Sequence, residues 1–327
     1  MSQHAEWIWM DGEWVKWAEA TVHVSAHGLH YGSSVFEGIR AYDTPEGPAV
    51  FRLDDHIERL VDSAKLMRME LPYSVAEMKR ISLELIERNG HAACYLRPLA
   101  YRGTGGLGVD GRHLPVSVVF LSMEWGAYLG EGALENGVDA AVSSWRRFSP
   151  GSLAPLGKIG GQYVNNQFVS AEARLNGYEE GIVLDANGHV CEGGGENLFL
   201  VKNGKVLTPP MSASILAGIT RDTVLRLADD LGIEVEQTRI TRDFLYLADE
   251  IFMTGTAAEI TPVRSVDRMA IGSGSRGPVT ERLQKAFFGI VEGRTQDRHG
   301  WLTHSRTIAN DAANDTATAE PALAAAV

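Results

Sequence analysis

The chain has 327 residues, is 44% hydrophobic and carries a formal net charge of -12, which is enough apolar material for two packed domains. The acidic surplus argues against nucleic acid, whose phosphates demand clustered Lys and Arg, and reads as solubility. No apolar run nears the roughly 18 residues of a membrane span, no signal-peptide core opens the chain, and only Cys94 and Cys191 are present, so a soluble protein of the reducing cytoplasm is expected.

Trp7 to Trp17 reads as two short aromatic strands joined by Asp11-Gly12, a hairpin signal. His23 to His30 leads into YGSSVFEGIRAY, strand-like and broken at Gly32 and Gly38. Phe51 to Met69 has helical periodicity, with Asp54 or Asp55 as the expected N-cap. Ser74 and Glu77 form a capping-box pattern for a second helix ending near Asn89-Gly90. Ala92 to Tyr101 and Val116 to Met123 are apolar strands, so the first part reads as an α+β domain. A Gly-rich passage to Gly137 suits an interdomain connection. Beyond it come a strand at Val138 to Ser144, a helix at Gln162 to Asn176, and hairpins around Asn187-Gly188 and Asn203-Gly204. A helix capped by Thr220 and stopped by Gly232, a strand at Glu250 to Thr254 and a helix at Pro278 to Glu292 complete the second domain. From His304 onward the Ala-, Asn- and Thr-rich sequence reads as a disordered tail.

The chemistry concentrates between Cys191 and Arg221. Glu192 is followed by Gly193, Gly194 and Gly195, then by the polar pair Glu196 and Asn197. Farther on, Gly218-Ile219-Thr220 opens a helix. Consecutive glycines let a backbone pass close to another group, and free N–H groups at a helix start favour an anion. Together these features point to a cofactor that carries both a basic nitrogen and a phosphate.

Lysines sort by elimination. Lys65, Lys79 and Lys285 fall on polar helix faces, Lys202 and Lys205 flank a turn, and Lys16 lies in an N-terminal strand; each reads as a solvated charge. Lys158 differs, because it sits in PLGKIGG without charged neighbours, just before a helix carrying Tyr163, Asn165 and Asn166. On local sequence it is either a surface-loop lysine or a Schiff-base amine, which must be desolvated to act as a nucleophile. Glu192 favours the second, since a carboxylate facing a pyridine nitrogen is what a pyridoxal phosphate electron sink requires. Two rival signals fall away. Gly103 to Gly108 spells G-x-G-x-x-G, but loop and strand follow where a dinucleotide site needs a helix, so a flexible active-site loop is expected. His27 and His30 lack a third ligand nearby and read as structural, and no metal is expected.

YGSSVFEGIR, YLRP, WGAYLG, Lys158 with GGQY, EGGGENLF, LTPP…LAGITR and TGTAAEITPV, in this order, resemble the class IV pyridoxal-phosphate aminotransferases, most of all their branched-chain amino acid branch. The resemblance reaches to about Leu302. It implies fold type IV, mixed α/β, with an N-terminal domain over 1–126, a connecting loop over 127–137 and a cofactor-binding domain over 138–303, leaving 304–327 as the tail. It implies an active site between the domains at a homodimer interface, with an L-branched-chain amino acid and 2-oxoglutarate as substrates. Nucleic acid and membrane are not expected partners.

Residue by residue, the resemblance implies that Lys158 holds pyridoxal 5'-phosphate covalently and moves the proton. Glu192 would pair with the pyridinium nitrogen, Tyr163 with the ring oxygen, and Arg59, Ile219, Thr220 and Thr256 with the phosphate. Leu216 would pack on the ring and Asn197 would support the cofactor strand. Phe36, Trp125, Tyr128 and the other subunit's copies of Tyr31 and Val109 would form apolar walls. Tyr95 and the Thr256-Ala257 backbone would take the α-carboxylate, Arg97 the side-chain carboxylate of glutamate, with Arg40 in support. D-amino-acid or (R)-amine transamination is the alternative on the same fold; the Arg-x-His clamp that marks the D-specific enzymes is absent, since Leu99 stands two residues after Arg97.

Overall fold

Strands up to Met123 enter one sheet and strands from Val138 to Ala270 enter another, in a computed structural model that describes residues 5–124, 126, 129–130 and 132–305. The first part contains β1 (Trp7–Met10), β2 (Glu13–Lys16), α1 (His27–Tyr31), β3 (Ser34–Phe36), β4 (Ile39–Tyr42), β5 (Ala49–Phe51), α2 (Leu53–Leu66), α3 (Val75–Asn89), β6 (Cys94–Arg102) and β7 (Val116–Met123). The second contains α4 (Ala133–Asn136), β8 (Val138–Arg146), α5 (Tyr163–Leu175), β9 (Glu180–Leu184), β10 (Val190–Gly193), β11 (Asn197–Lys202), β12 (Lys205–Thr208), α6 (Ile219–Asp230), β13 (Val235–Gln237), α7 (Arg242–Leu247), β14 (Glu250–Gly255), β15 (Glu259–Val266), β16 (Met269–Ala270), α8 (Pro278–Val291) and β17 (Leu302–His304).

Local chemistry accounts for most boundaries. The Ser74 side chain accepts from the Glu77 N–H while Glu77 bonds back, and left-handed Gly90 ends α3, as the pattern predicts. At α2 the expected cap is corrected. Arg52, itself left-handed, holds the N-cap position without a side-chain cap, and Asp54 and Asp55 lie in the first turn. The reason is that the Arg52 guanidinium is committed to Asp55, Asp222 and Thr223, and its N–H to the Trp301 carbonyl. The chain is thus fixed at Arg52, and the aspartates favour the helix through its dipole.

Among the described residues, the first sheet runs β17-β5-β4-β6-β7-β1-β2, with β3 beside β6. The second runs β10-β9-β8-β15-β14-β11-β12-β13, with β16 beside β15. Its β8–β9, β8–β15 and β12–β13 pairs are parallel, giving a mixed sheet. The short β13 and α7 lie in a stretch to which the sequence patterns assign no element. β17 returns to the first sheet, pairing Leu302 with Phe51 and His304 with Ala49. His304 therefore belongs to a strand, which corrects the tail's expected start; residues 306–327 lie outside the described ones.

One core packs α2 and α3 on the first sheet around Ile57, Leu60, Ile81, Leu85 and Phe120. A second mixes both parts of the chain, joining Tyr42 and Phe51 to Phe199, Phe252, Phe287 and Trp301. Each large side chain buried in this way contributes about 2–3 kcal/mol. No helix among the described residues is long and apolar enough to cross a membrane.

Candidate active site

Lys158 sits on the connection from β8 to α5 and is fixed to the first part of the chain by its own backbone. Its N–H donates to Ser63 Oγ on α2 at 3.0 Å, and its carbonyl accepts the Phe36 N–H at 3.1 Å. Nearby, the Gly161 N–H donates to the Gly32 carbonyl at 3.0 Å, with Gly32 left-handed at φ 62°. A Cβ on Gly32 would stand 2.5 Å from Gly161 Cα, so the close approach requires glycine. Pinned in this way, the amine Nζ donates to Tyr163 Oη at 2.6 Å and lies 4.9 Å from the Phe36 ring centroid.

Glu192 projects from β10 and is buried. Its Oε1 pairs with Arg147 Nη2 at 2.6 Å. Its Oε2 accepts from the Leu216 N–H at 2.9 Å and from Asn197 Nδ2 at 3.2 Å. Burial pushes this carboxyl above its ordinary pKa, while Arg147, the Leu216 N–H and Lys158 pull it back. Arg147 is held in turn by Asn166 Oδ1 at 3.0 Å and the Ser214 carbonyl at 3.2 Å. Glu196, after the triple glycine, accepts the Gly195 N–H at 3.0 Å. Burial first, and then the neighbouring Glu180 charge, drive its pKa well above the usual carboxylate range.

The start of α6 brings positive charge to the same cavity. α6 starts at Ile219 with Gly218 as N-cap and no side-chain cap, so Thr220 is the second helical residue and not the cap, which corrects the expectation. Asn197 explains the choice of residue: a Cβ on Gly218 would lie 1.8 Å from Asn197 Oδ1. With no side chain capping them, the first N–H groups of α6 remain open to an anion. Arg59 from α2 stands beside them, its Nη1 donating to the Ala217 carbonyl at 2.8 Å.

Arg59, Lys158, Tyr163, Glu192, Asn197, Leu216, Ile219, Thr220 and Thr256, the nine residues expected around the cofactor, all line one cavity. They fit pyridoxal 5'-phosphate: an amine, a buried carboxylate, and an uncapped helix start with an arginine beside it. Thr254 Oγ1, which lines the same cavity, is buried without a hydrogen-bond partner among the described residues.

The expected substrate residues divide. Phe36 meets Tyr163 edge-on at 4.8 Å, and the Arg97 guanidinium lies 4.9 Å from the Phe36 ring and 5.3 Å from the Tyr95 ring. Arg97 Nε is buried and unpartnered among the described residues. Arg40 donates to the Ala257 carbonyl at 3.3 Å and pairs with Glu259 at 3.5 Å, so it braces that loop. Of the expected substrate residues that are described, only Thr256 lines the cavity itself; Phe36, Arg40, Tyr95, Arg97 and Ala257 do not, and Tyr31 and Val109 are 46% and 79% exposed, with Tyr31 Oη donating to the Leu107 carbonyl. Trp125 and Tyr128 lie outside the described residues. His27 bonds Ser33 and Gly108, and His30 bonds the Val24 carbonyl. Cys94 and Cys191 are buried free thiols, and burial raises the Cys94 pKa to about 12.

Sequence reasoning missed Arg147, Asn166, Glu196 as a cavity residue, and Thr254. Arg147 adjoins Arg146 just past β8, and nothing local says which arginine turns inward. Asn166 is recoverable in retrospect, one helical turn after Tyr163.

A family model described as amino-transferase class IV matches residues 34–266, and the chain belongs to the class IV aminotransferases. Its fold is fold type IV, and pyridoxal phosphate is the cofactor its cavity fits. The branched-chain-amino-acid aminotransferase of Escherichia coli (strain K12) is 51% identical over 302 residues, 92% of this chain and 98% of that one. The crystal structure of the E. coli branched-chain amino acid aminotransferase superposes with a TM-score of 0.91 at 51% identity, covering 92% of this chain and 99% of that one. The branched-chain amino acid aminotransferase of Thermobaculum terrenum, solved in its PLP-bound holo form, gives a TM-score of 0.85 at 37% identity, with 92% and 98% covered.

Proposed function

We propose that this chain transfers the amino group between L-branched-chain amino acids and 2-oxoglutarate, in a cavity that holds pyridoxal 5'-phosphate. The observation that carries the reading is the placement of the Lys158 amine, bonded to Tyr163, in one cavity with the Glu192 carboxylate and the uncapped start of α6. When bound, the cofactor supplies an electron sink for the substrate Cα. Lys158 Nζ would hold the cofactor and serve as the base for the substrate Cα proton, and Tyr163 would orient the ring oxygen. Glu192, kept in place by Arg147, Asn197 and the Leu216 N–H, holds the proton on the ring nitrogen. Ile219, Thr220, Thr256 and Arg59 would hold the phosphate, and Leu216 would pack on the ring.

One pocket must accept an apolar and an acidic substrate. Phe36 offers an apolar wall beside Arg97, whose unpartnered Nε supports a role in binding the second carboxylate of glutamate. Tyr95 and the Thr256-Ala257 backbone take the α-carboxylate. Tyr31 and Val109 stand exposed on the single chain, which supports their serving a second copy's pocket in a homodimer. The cytoplasm suits such an enzyme. Leu99 in place of a clamp histidine favours L-amino acids over D-amino acids.

Lys158→Ala tests the reading. The visible band of the bound aldehyde should vanish and transamination of L-leucine should fall by at least about 10³-fold, with the circular dichroism unchanged. Full turnover by that variant, or a wild-type preference for D-leucine or an (R)-amine over L-leucine, overturns it.

A further inference from the structure

The carboxylate of Glu37, between β3 and β4 in the FEGIR segment, is fully enclosed beside the cavity, at 0% exposure. An ion so far from water persists only if its partners saturate it. Four hydrogen bonds do so. Arg59 presents Nε to Oε1 at 2.6 Å and Nη2 to Oε2 at 2.9 Å, a two-point grip that fixes the plane of the guanidinium. His56 Nδ1 lies 2.7 Å from Oε2, and the Gly38 N–H donates to the same oxygen at 3.2 Å. Because the carboxylate only accepts, the His56 nitrogen carries the hydrogen. Arg59 then has Nη1 free to reach across to the Ala217 carbonyl, one residue before the α6 N-cap. The guanidinium thus spans from the first part of the chain to the uncapped helix start, and its orientation is dictated from behind by Glu37. His56, one turn before Arg59 on α2, secures the carboxylate against rotation.

We propose that Glu37, steadied by His56, is the positioning residue that aims Arg59 at the anion seat of α6, and that it thereby determines how strongly the cavity selects a phosphorylated aldehyde over its unphosphorylated form. The inference rests on the reading that this end of the cavity holds the cofactor phosphate. Glu37 touches neither substrate nor cofactor. It removes the rotational freedom of a long side chain, a cost that Arg59 would otherwise meet at the moment of binding.

The test titrates cofactor-free protein with pyridoxal 5'-phosphate and, separately, with pyridoxal, for wild type and Glu37→Gln, reading the absorbance of the bound aldehyde. Glu37→Gln should bind the phosphorylated aldehyde about tenfold more weakly while its affinity for pyridoxal stays within about twofold, since only the phosphate meets Arg59. Equal losses for both ligands, which a general loosening of the fold would give, overturn the proposal, as does no loss for either. A wild-type protein that binds pyridoxal as tightly as pyridoxal 5'-phosphate refutes the phosphate reading itself, and is distinguished because it needs no variant. Should Glu37→Gln fail to fold, Glu37→Asp, which keeps the charge but is too short to grip both Arg59 and His56, is decided by the same comparison.

Discussion

The phenol oxygen of Tyr163 accepts the hydrogen bond of the Lys158 amine at 2.6 Å, from the first residue of the helix that Lys158 introduces. Nucleophile and orienting group are therefore set by a single loop-to-helix transition, with Phe36 packed against both. Tyr163→Phe keeps the ring and removes only the oxygen. Single-turnover absorbance with L-leucine should show the half-reaction slowed by about tenfold to a hundredfold while the amine still captures the cofactor. An unchanged rate would mean that the contact only packs the loop.

Arg147 is the charged partner of Glu192, with both side chains buried. Replacing it by Met leaves a buried carboxylate with two neutral donors, and urea unfolding of cofactor-free protein should show a loss of about 3–5 kcal/mol. Adding Glu192→Gln to Arg147→Met should restore part of it, because the stranded charge is then gone. A double variant no more stable than Arg147→Met alone would place the cost elsewhere.

Arg97 bears on substrate choice. Arg97→Ala should reduce kcat/KM for 2-oxoglutarate and glutamate by about a hundredfold and for leucine by less than about fivefold, as loss of one charged two-point contact implies. Equal losses on both substrates would assign Arg97 to the shared α-carboxylate.

Glu196 supplies a pH signature. Its folded pKa is raised by burial and by Glu180, so between the ordinary value of 4.5 and the folded value the native state binds more protons than the unfolded one. Stability contributed by the neutral form is thus present at acid pH and declines as pH rises through that window. Glu196→Gln keeps an acceptor for the Gly195 N–H and cannot ionise. Its Tm should exceed that of wild type increasingly from about pH 5 to about pH 8, by roughly 2–4 °C at the upper end. A difference independent of pH would show that the Glu196 carboxyl ionises in the fold as it does in the unfolded chain.

Much of this was legible because local signals are short in range. The Asp11-Gly12 hairpin, the Ser74–Glu77 box and the apolar runs of β6 and β7 each specify structure within a few residues. The candidate centre was legible too, because Lys158 stands apart from the other lysines and Glu192 adjoins three glycines. What escaped depends on tertiary contacts. The α2 start is set by Arg52 reaching Asp222, 170 residues away, and the α6 start by Gly218 pressing on Asn197. The inward turn of Arg147 depends on where Asn166 and Ser214 arrive, which no local pattern encodes.

The aromatic cluster of Tyr42, Phe51, Phe287 and Trp301, together with β17 on the edge of β5, stitches the two sheets along a seam. Swinging the sheets apart would bring these rings into water. The seam thus opposes parting of the sheets, and the fold resembles a fixed die in which work is struck without the press being opened.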